Sequence, residues 1–292
     1  MSNKSGPRII TFANQKGGCA KTTSVVAVAT ALTLLDKRVL IVDMDSQANV
    51  SAGLGVKRLA QKEHKVLSEV MRKNLKLPQV RMSTKNPKID IVAADIGVNR
   101  AMLELIGRPR QHYILAHLLD CPETAQYDVI LVDTNPKLDS MLQSALVGSQ
   151  FLLVPIFAEA DAFDGLVDLF DEFHEIQRTY NPGLSLLGMF ITRYDSKNTT
   201  HKKFSILLKN WCEKNKIKLF DSMIPSSAAV AGARTAEKSV IEYNPSLPVS
   251  EAYMSLAKDI LPEISNRIGR KSEIPEITRS TTEVFDEVFM TE

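Results

Sequence analysis

The chain has 292 residues, of which 44% are hydrophobic and 24% charged, and carries a formal net charge of +2. That balance suits a folded protein of one large domain or two small ones and says little about partners. No stretch approaches 18 uncharged apolar residues, which argues against a membrane span. Met1 to Pro7 lacks the apolar core of a secretory signal. Three widely spaced cysteines, Cys19, Cys121 and Cys212, form no metal-spaced pair and point to a reducing cytosol.

In chain order, Ile9 to Ala13 reads as a buried strand and Thr22 to Leu35 as a helix. Val39 to Val42 is a second strand. Residues 56–88 carry ten Lys/Arg against two Asp/Glu and read as a helix followed by a loop. Further strands follow at Ile89–Ala93, Val129–Val132, Phe151–Val154 and Leu186–Ile191. Helical patterns cover 98–119, 138–147, 162–179, 201–214 and Glu251 to Arg267. Val/Ile/Leu strands separated by helices predict an α/β fold, a mostly parallel twisted sheet covered on both faces. Residues 1–270 form one domain in this reading. Residues 271–292 form an acidic tail, six acids against two basic residues, poorly ordered or docking a partner. Within the tail, Val284, Phe285, Val288 and Phe289 fall on one face at helical spacing.

The turn between the first strand and first helix reads Asn14-Gln15-Lys16-Gly17-Gly18-Cys19-Ala20-Lys21-Thr22-Thr23. A strand, a glycine-rich turn and a helix gather the N–H groups of Gly17 to Thr23 around one point, which attracts a polyphosphate. Lys21 would hold β- and γ-phosphate oxygens, and the Thr22 hydroxyl would bind Mg²⁺. The strict pattern G-x-x-x-x-G-K-[ST] fails, because Gln15 and Ala20 occupy its glycine positions; K-G-G-x-x-K-T-T fits instead. Lys16, on the loop rather than the helix, is placed to reach a nucleotide on a second copy of the chain. Cys19 reads as a small filler.

Two carboxylates, Asp43 and Asp45, stand at the end of the second strand. One suits a metal's water shell and the other suits the attacking water. Asp133, after the apolar run Val129–Val132, is the Walker B arrangement. Phosphoryl transfer needs positioning and charge neutralisation, which Lys16, Lys21, Asp45 and a metal on Thr22, Asp43 and Asp133 would supply.

Together these motifs resemble the ParA/MinD group of deviant Walker ATPases, and ParA-type DNA partition ATPases most closely. The resemblance also takes in Glu159-x-x-Ala162-x-x-Gly165, Thr192 to Lys197, Ile224-Pro225 and Glu242 to Pro245, over roughly residues 7–267. It implies a P-loop NTPase fold and a weak ATPase using ATP and Mg²⁺. It implies a homodimer sandwiching two nucleotides, in which Lys16 acts in trans and Asp45 positions water. Glu159 would lie near the partner's nucleotide, and Thr192 and Pro225 near the adenine. It further implies a cytoplasmic, nucleoid-associated protein that binds DNA without sequence preference and is stimulated by a ParB-type centromere-binding protein.

Arg193 to Lys218 holds eight Lys/Arg against two Asp/Glu. Lys197, Lys202, Lys203 and Lys209 there, with Arg234 beyond, are candidate DNA contacts. Ala229 replaces an arginine that DNA-binding relatives carry. The alternative is a MinD-like spatial regulator of a protein complex; its relatives end in a basic amphipathic helix, whereas this tail is acidic. A non-catalytic binding module is disfavoured by the intact lysines and acids. A cluster-bearing electron carrier is disfavoured by the cysteine positions. Too few residues precede Pro7 for a helix-turn-helix domain.

Overall fold

The computed structural model describes residues 6–159 and 164–266. Its strands are β1 (Arg8–Phe12), β2 (Val39–Asp43), β3 (Met82–Ser83), β4 (Ile89–Val92), β5 (Val129–Asp133), β6 (Phe151–Phe157) and β7 (Ser185–Thr192). They form one sheet in the order β3-β4-β2-β5-β1-β6-β7. Every neighbouring pair is parallel except β3 with β4. Parallel neighbours require crossovers, and these place helices on both faces.

The helices are α1 (Lys21–Leu34), α2 (Asn49–Gly53), α3 (Lys57–Lys62), α4 (Leu67–Lys73), α5 (Leu77–Val80), α6 (Gly97–Leu105) and α7 (Ile114–Leu119). They continue as α8 (Ser140–Val147), α9 (Asp164–Thr179), α10 (Thr199–Lys214), α11 (Ala229–Thr235), α12 (Val240–Tyr243) and α13 (Pro248–Asn266). Alternation along the strands sorts the core. Ile41 packs with α1, α11, α12 and α13 on one face, whereas Leu40 and Val42 pack with α4 to α8 on the other. A third cluster joins β6 and β7 to α9 and α10. Helix α1 is apolar nearly all round because α13 covers the side the sheet does not; Val25, Val28, Ala31 and Leu32 are all buried.

Several expectations need correction. The stretch 98–119 is not one helix: α6 ends at Leu105, a 3₁₀ turn spans Pro109–His112, and α7 follows. Gly107 at φ 75° and Pro109 break it. Residues 56–88 hold three short helices and a seventh strand, rather than a helix and a loop; a two-residue strand carries no periodicity. Strand β6 runs on to Phe157 through Pro155. The proline is tolerated because β1 pairs with β6 only as far as Phe12↔Leu153, so its missing N–H faces no ladder partner on that side. Gly188, at φ 153°, lets β7 pass Lys218; a Cβ there would lie 2.7 Å from the Lys218 carbonyl oxygen. The tail 271–292, Ala162 and Arg267 lie outside the described residues. Among the described residues no helix is long and apolar enough to cross a membrane.

Candidate nucleotide site

The site forms where β1, β2 and β5 end together at the C-terminal edge of the sheet, the usual place for ligands in such sheets. After Phe12 the chain is tied to β6. Ala13 N–H donates to the Leu153 carbonyl at 3.3 Å, and the Asn14 amide donates to the Pro155 carbonyl at 2.7 Å. Lys16 N–H donates to Asn14 Oδ1 at 2.9 Å, which starts the turn. Two residues then take the left-handed conformation, Gly18 at φ 77° and Ala20 at φ 64°. Such alternation turns successive N–H groups toward one concavity. Ala20 adopts it at a cost of roughly 1–2 kcal/mol that glycine would not incur. It sits just before α1, whose Ser24 N–H donates to its carbonyl at 2.8 Å.

Lys21 is buried and folds back on the loop, donating to the Asn14 and Lys16 carbonyls at 2.8 and 3.2 Å. Cys19 Sγ lies 3.7 Å from the same ammonium. Burial nevertheless pushes the Cys19 thiol above its ordinary value, with the Lys21 charge acting the other way. The thiol is therefore held neutral, in keeping with a filler.

The Thr22 hydroxyl donates to Asp133 Oδ2 at 2.8 Å. Asp133 Oδ1 is buried without a hydrogen-bond partner. Asp43 and Asp133 face each other in register across β2 and β5. Burial pushes both carboxyls up, Asp43 to about 6, and mutual repulsion raises Asp133 further. A buried carboxylate oxygen with no donor, beside a threonine hydroxyl and under an N–H cradle, fits a divalent cation that neutralises phosphate oxygens. Among the described residues no group of three or more His, Cys, Asp or Glu could hold a metal. A cation here would draw its remaining ligands from phosphate and water, as Mg²⁺ commonly does.

The two β2 acids differ. Asp43 is fully buried, and its Oδ2 accepts from Ser51 N–H at 3.0 Å and Ser51 Oγ at 2.6 Å. Its Oδ1 accepts from Asp45 N–H at 3.3 Å. Both oxygens are engaged in shaping the loop, and Asp43 is not among the residues that line the cleft. Asp45 lines the cleft, with Oδ1 anchored on Gln47 N–H at 2.9 Å.

The cleft has a volume of about 860 Å³. Gly17 to Thr23 form one wall, and Pro225 with its neighbours Ile224 and Ser226 form another. That second wall is stitched to the loop after β7: Tyr194 N–H donates to Ile224 O at 2.9 Å, and Ser226 N–H donates to Tyr194 O at 3.1 Å. Val26, Val249 and Tyr253 make an apolar floor, where the Tyr253 and Ser24 hydroxyls are 3.0 Å apart. Thr192 does not line this cleft. It is fully buried, and its hydroxyl bridges the Cys19 and Ile156 carbonyls at 3.1 Å each, which braces the phosphate loop. Lys16 and Glu159 also lie outside the cleft lining. They pair with each other, and Lys16 Nζ sits 5.7 Å from the Phe157 ring centroid.

Sequence reasoning passed over Arg193. It borders the cleft, donates to Gly18 O at 3.3 Å and stacks over Phe157 at 4.3 Å. Its position directly after a strand that ends at the cleft was the available signal.

The DNA candidates fall in two places. Lys197 precedes α10, and Lys202, Lys203 and Lys209 are exposed on α10. Arg234 is on α11 at the cleft rim, donating to Asn49 at 2.7 Å. It is therefore separate from the α10 group.

Comparison with known proteins is consistent with this site. The model of an AAA domain family matches residues 7–186. The chromosome-partitioning ATPase Soj of Thermus thermophilus is 30% identical over 257 residues, which cover 88% of this chain and 96% of that protein. The chain belongs to the ParA-type family of partition ATPases. Among solved structures, a plasmid partition protein of Borrelia burgdorferi bound to AMPPNP is 28% identical, with a TM-score of 0.70 over 90% of this chain and 100% of that one. Cobyrinic acid a,c-diamide synthase of Mycobacterium smegmatis with an ATP analogue and magnesium is 26% identical, with a TM-score of 0.76 over 93% and 100%. Both were solved with a nucleotide analogue.

Proposed function

We propose that this member of the family is an ATP-gated DNA partition protein. Two copies close around two molecules of Mg-ATP, and the closed dimer holds DNA without reading its sequence. Slow hydrolysis, speeded by a ParB-type partner, reopens it. The observation that carries the reading is the unsatisfied Asp133 Oδ1 beside the Thr22 hydroxyl, beneath a loop that bears two lysines.

Thr22 and Asp133 would hold Mg²⁺, which supplies charge neutralisation at the phosphates. Lys21, already buried against the loop carbonyls, needs only to exchange them for phosphate oxygens. Asp45, with one oxygen fixed by Gln47 N–H, is the acceptor for the attacking water's proton. Lys16 begins paired with Glu159, so serving a neighbouring copy's nucleotide requires that pair to open.

DNA contact is assigned to α10 on electrostatic grounds. In residues 56–88 most cations already have partners: Lys73 with Glu69, Lys76 with Asp120, Arg81 with Asp90, Lys85 with Glu237 and Lys88 with Asp36. Lys197, Lys202 and Lys209 are exposed and have no ion pair among the described residues. Cations without acids release phosphate counterions more effectively than neutralised ones. Two copies double their number.

The test is DNA retention by the full chain with ATP, with ADP and without nucleotide, across a salt series. The proposal predicts binding with ATP only, falling steeply with salt. Equal binding in all three states, or none, refutes it.

A further inference from the structure

Helix α6 and its two caps carry large aliphatics that the described residues leave uncovered. Ile96 is 71% exposed, Leu103 69% and Ile106 62%. The opposite side of the helix, Val98, Ala101 and Leu105, is buried in the core. Leu103 lies on α6, Ile96 caps its start and Ile106 caps its end, where ψ 132° leaves the helix. Three large exposed aliphatics, one on this short helix and one at each of its ends, are an interaction surface rather than scattered exposure.

The flanks are basic. The Arg100 side chain is 84% exposed and only loosely paired, 3.7 Å from Glu104. Arg108 is exposed. Arg72 contacts Glu69 and Glu104, and Arg110 is fixed by the Val70 and Met71 carbonyls at 3.1 and 2.8 Å. Four arginines against Glu69, Glu104 and Asp95 leave a net positive rim around the apolar patch.

The sequence contains the complementary element. Glu283-Val284-Phe285-Asp286-Glu287-Val288-Phe289 places Val284, Phe285, Val288 and Phe289 on one helical face among three acids, with no basic residue between Ser280 and Glu292. We propose that this C-terminal segment docks on the α6 surface of its own chain, its apolar residues toward Leu103 and its acids toward Arg100 and Arg108. The sixteen residues 267–282 can span about 50 Å, comparable with the width of a domain this size, so reach is no obstacle. The shallow groove beside Leu34 and Met254 is a poorer seat, because its only charges are Lys258 and Glu251, which cancel.

The test is a cysteine pair in the full chain, Leu103→Cys with Phe289→Cys, under mild oxidation at low protein concentration, with linkages mapped by mass spectrometry. Ile206→Cys with Phe289→Cys serves as control, since Ile206 is 60% exposed on α10. Docking predicts a 103–289 link within one chain at least tenfold faster than the 206–289 link. Arg100→Glu with Arg108→Glu should slow it at least fivefold, and adding Glu283→Lys with Glu287→Lys should restore it. Equal rates for the two pairs overturn the proposal. So does a faster 103–103 link between chains, which would assign the patch to a second copy. A link unaffected by the charge swap overturns the assigned orientation.

Discussion

Two ends of one sheet treat buried carboxylates in opposite ways. At the N-terminal end Asp90 is 5% exposed and fully provided for. The Tyr127 hydroxyl donates to its Oδ2 at 2.7 Å, and Arg38 and Arg81 stand 3.5 and 3.6 Å from the same oxygen. At the C-terminal end Asp43 and Asp133 face each other with no arginine, and one Asp133 oxygen has no donor. The first arrangement is a finished structural joint. The second leaves electrostatic work for a ligand, which is how a functional site differs from a scaffold of the same residues.

Four expected outcomes break or sharpen this contrast. The largest is Asp90→Ala, which strands two arginines and a tyrosine hydroxyl and should cost about 3 kcal/mol of stability. Asp133→Asn should instead leave the nucleotide-free chain as stable or more so while abolishing Mg-dependent turnover. Chemical denaturation and phosphate release measure both, and equal destabilisation by the two variants breaks the comparison. The second concerns pH. Asp43 has a folded value of about 6 against an ordinary 3.8, so the folded chain binds its proton more tightly than the unfolded chain. Its stabilising contribution is complete below about pH 4 and is lost as pH rises through 6, up to about 3 kcal/mol. Denaturation without Mg²⁺ between pH 4 and 7 should show that loss, and added Mg-nucleotide should reduce it. A flat profile would contradict the reading of this end as under-compensated.

The surface repeats the contrast more weakly. Lys197→Glu with Lys202→Glu and Lys203→Glu should reduce ATP-dependent DNA retention tenfold or more, about 1.4 kcal/mol, and flatten its salt dependence. The same number of reversals at Lys73, Lys85 and Lys88, already ion-paired, should change retention less than threefold in filter binding. The smallest effect is Ala20→Gly, which should raise the melting temperature by relieving about 1 kcal/mol of left-handed strain, with nucleotide binding retained.

Much of this was legible in the chain. The strands that carry the site, the turn at Asn14–Thr23 and Asp133 follow from runs of Val, Ile and Leu ending in glycine or acid. What was not legible depends on distant partners. Asp43 and Asp45 look equivalent two residues apart, and Ser51 Oγ, eight residues beyond Asp43, decides that Asp43 turns inward. Thr192 stands at the right strand end, yet the Cys19 carbonyl, 173 residues away in sequence, draws its hydroxyl under the loop. The break of the 98–119 helix is legible at Gly107 and Pro109, whose turn chemistry outweighs the apolar periodicity on either side. The pairing of Lys76, Lys85 and Lys88 is not, because their acids come from Asp120, Glu237 and Asp36.

The central claim is that two copies share their nucleotides, each lending Lys16 to the other. Sedimentation of the full chain with Mg²⁺ and a non-hydrolysable ATP analogue tests it most directly. The account predicts a dimer for the natural chain and a monomer that still binds nucleotide for Lys16→Ala. A dimer that persists unchanged in Lys16→Ala, or a natural chain that stays monomeric when saturated, would contradict it.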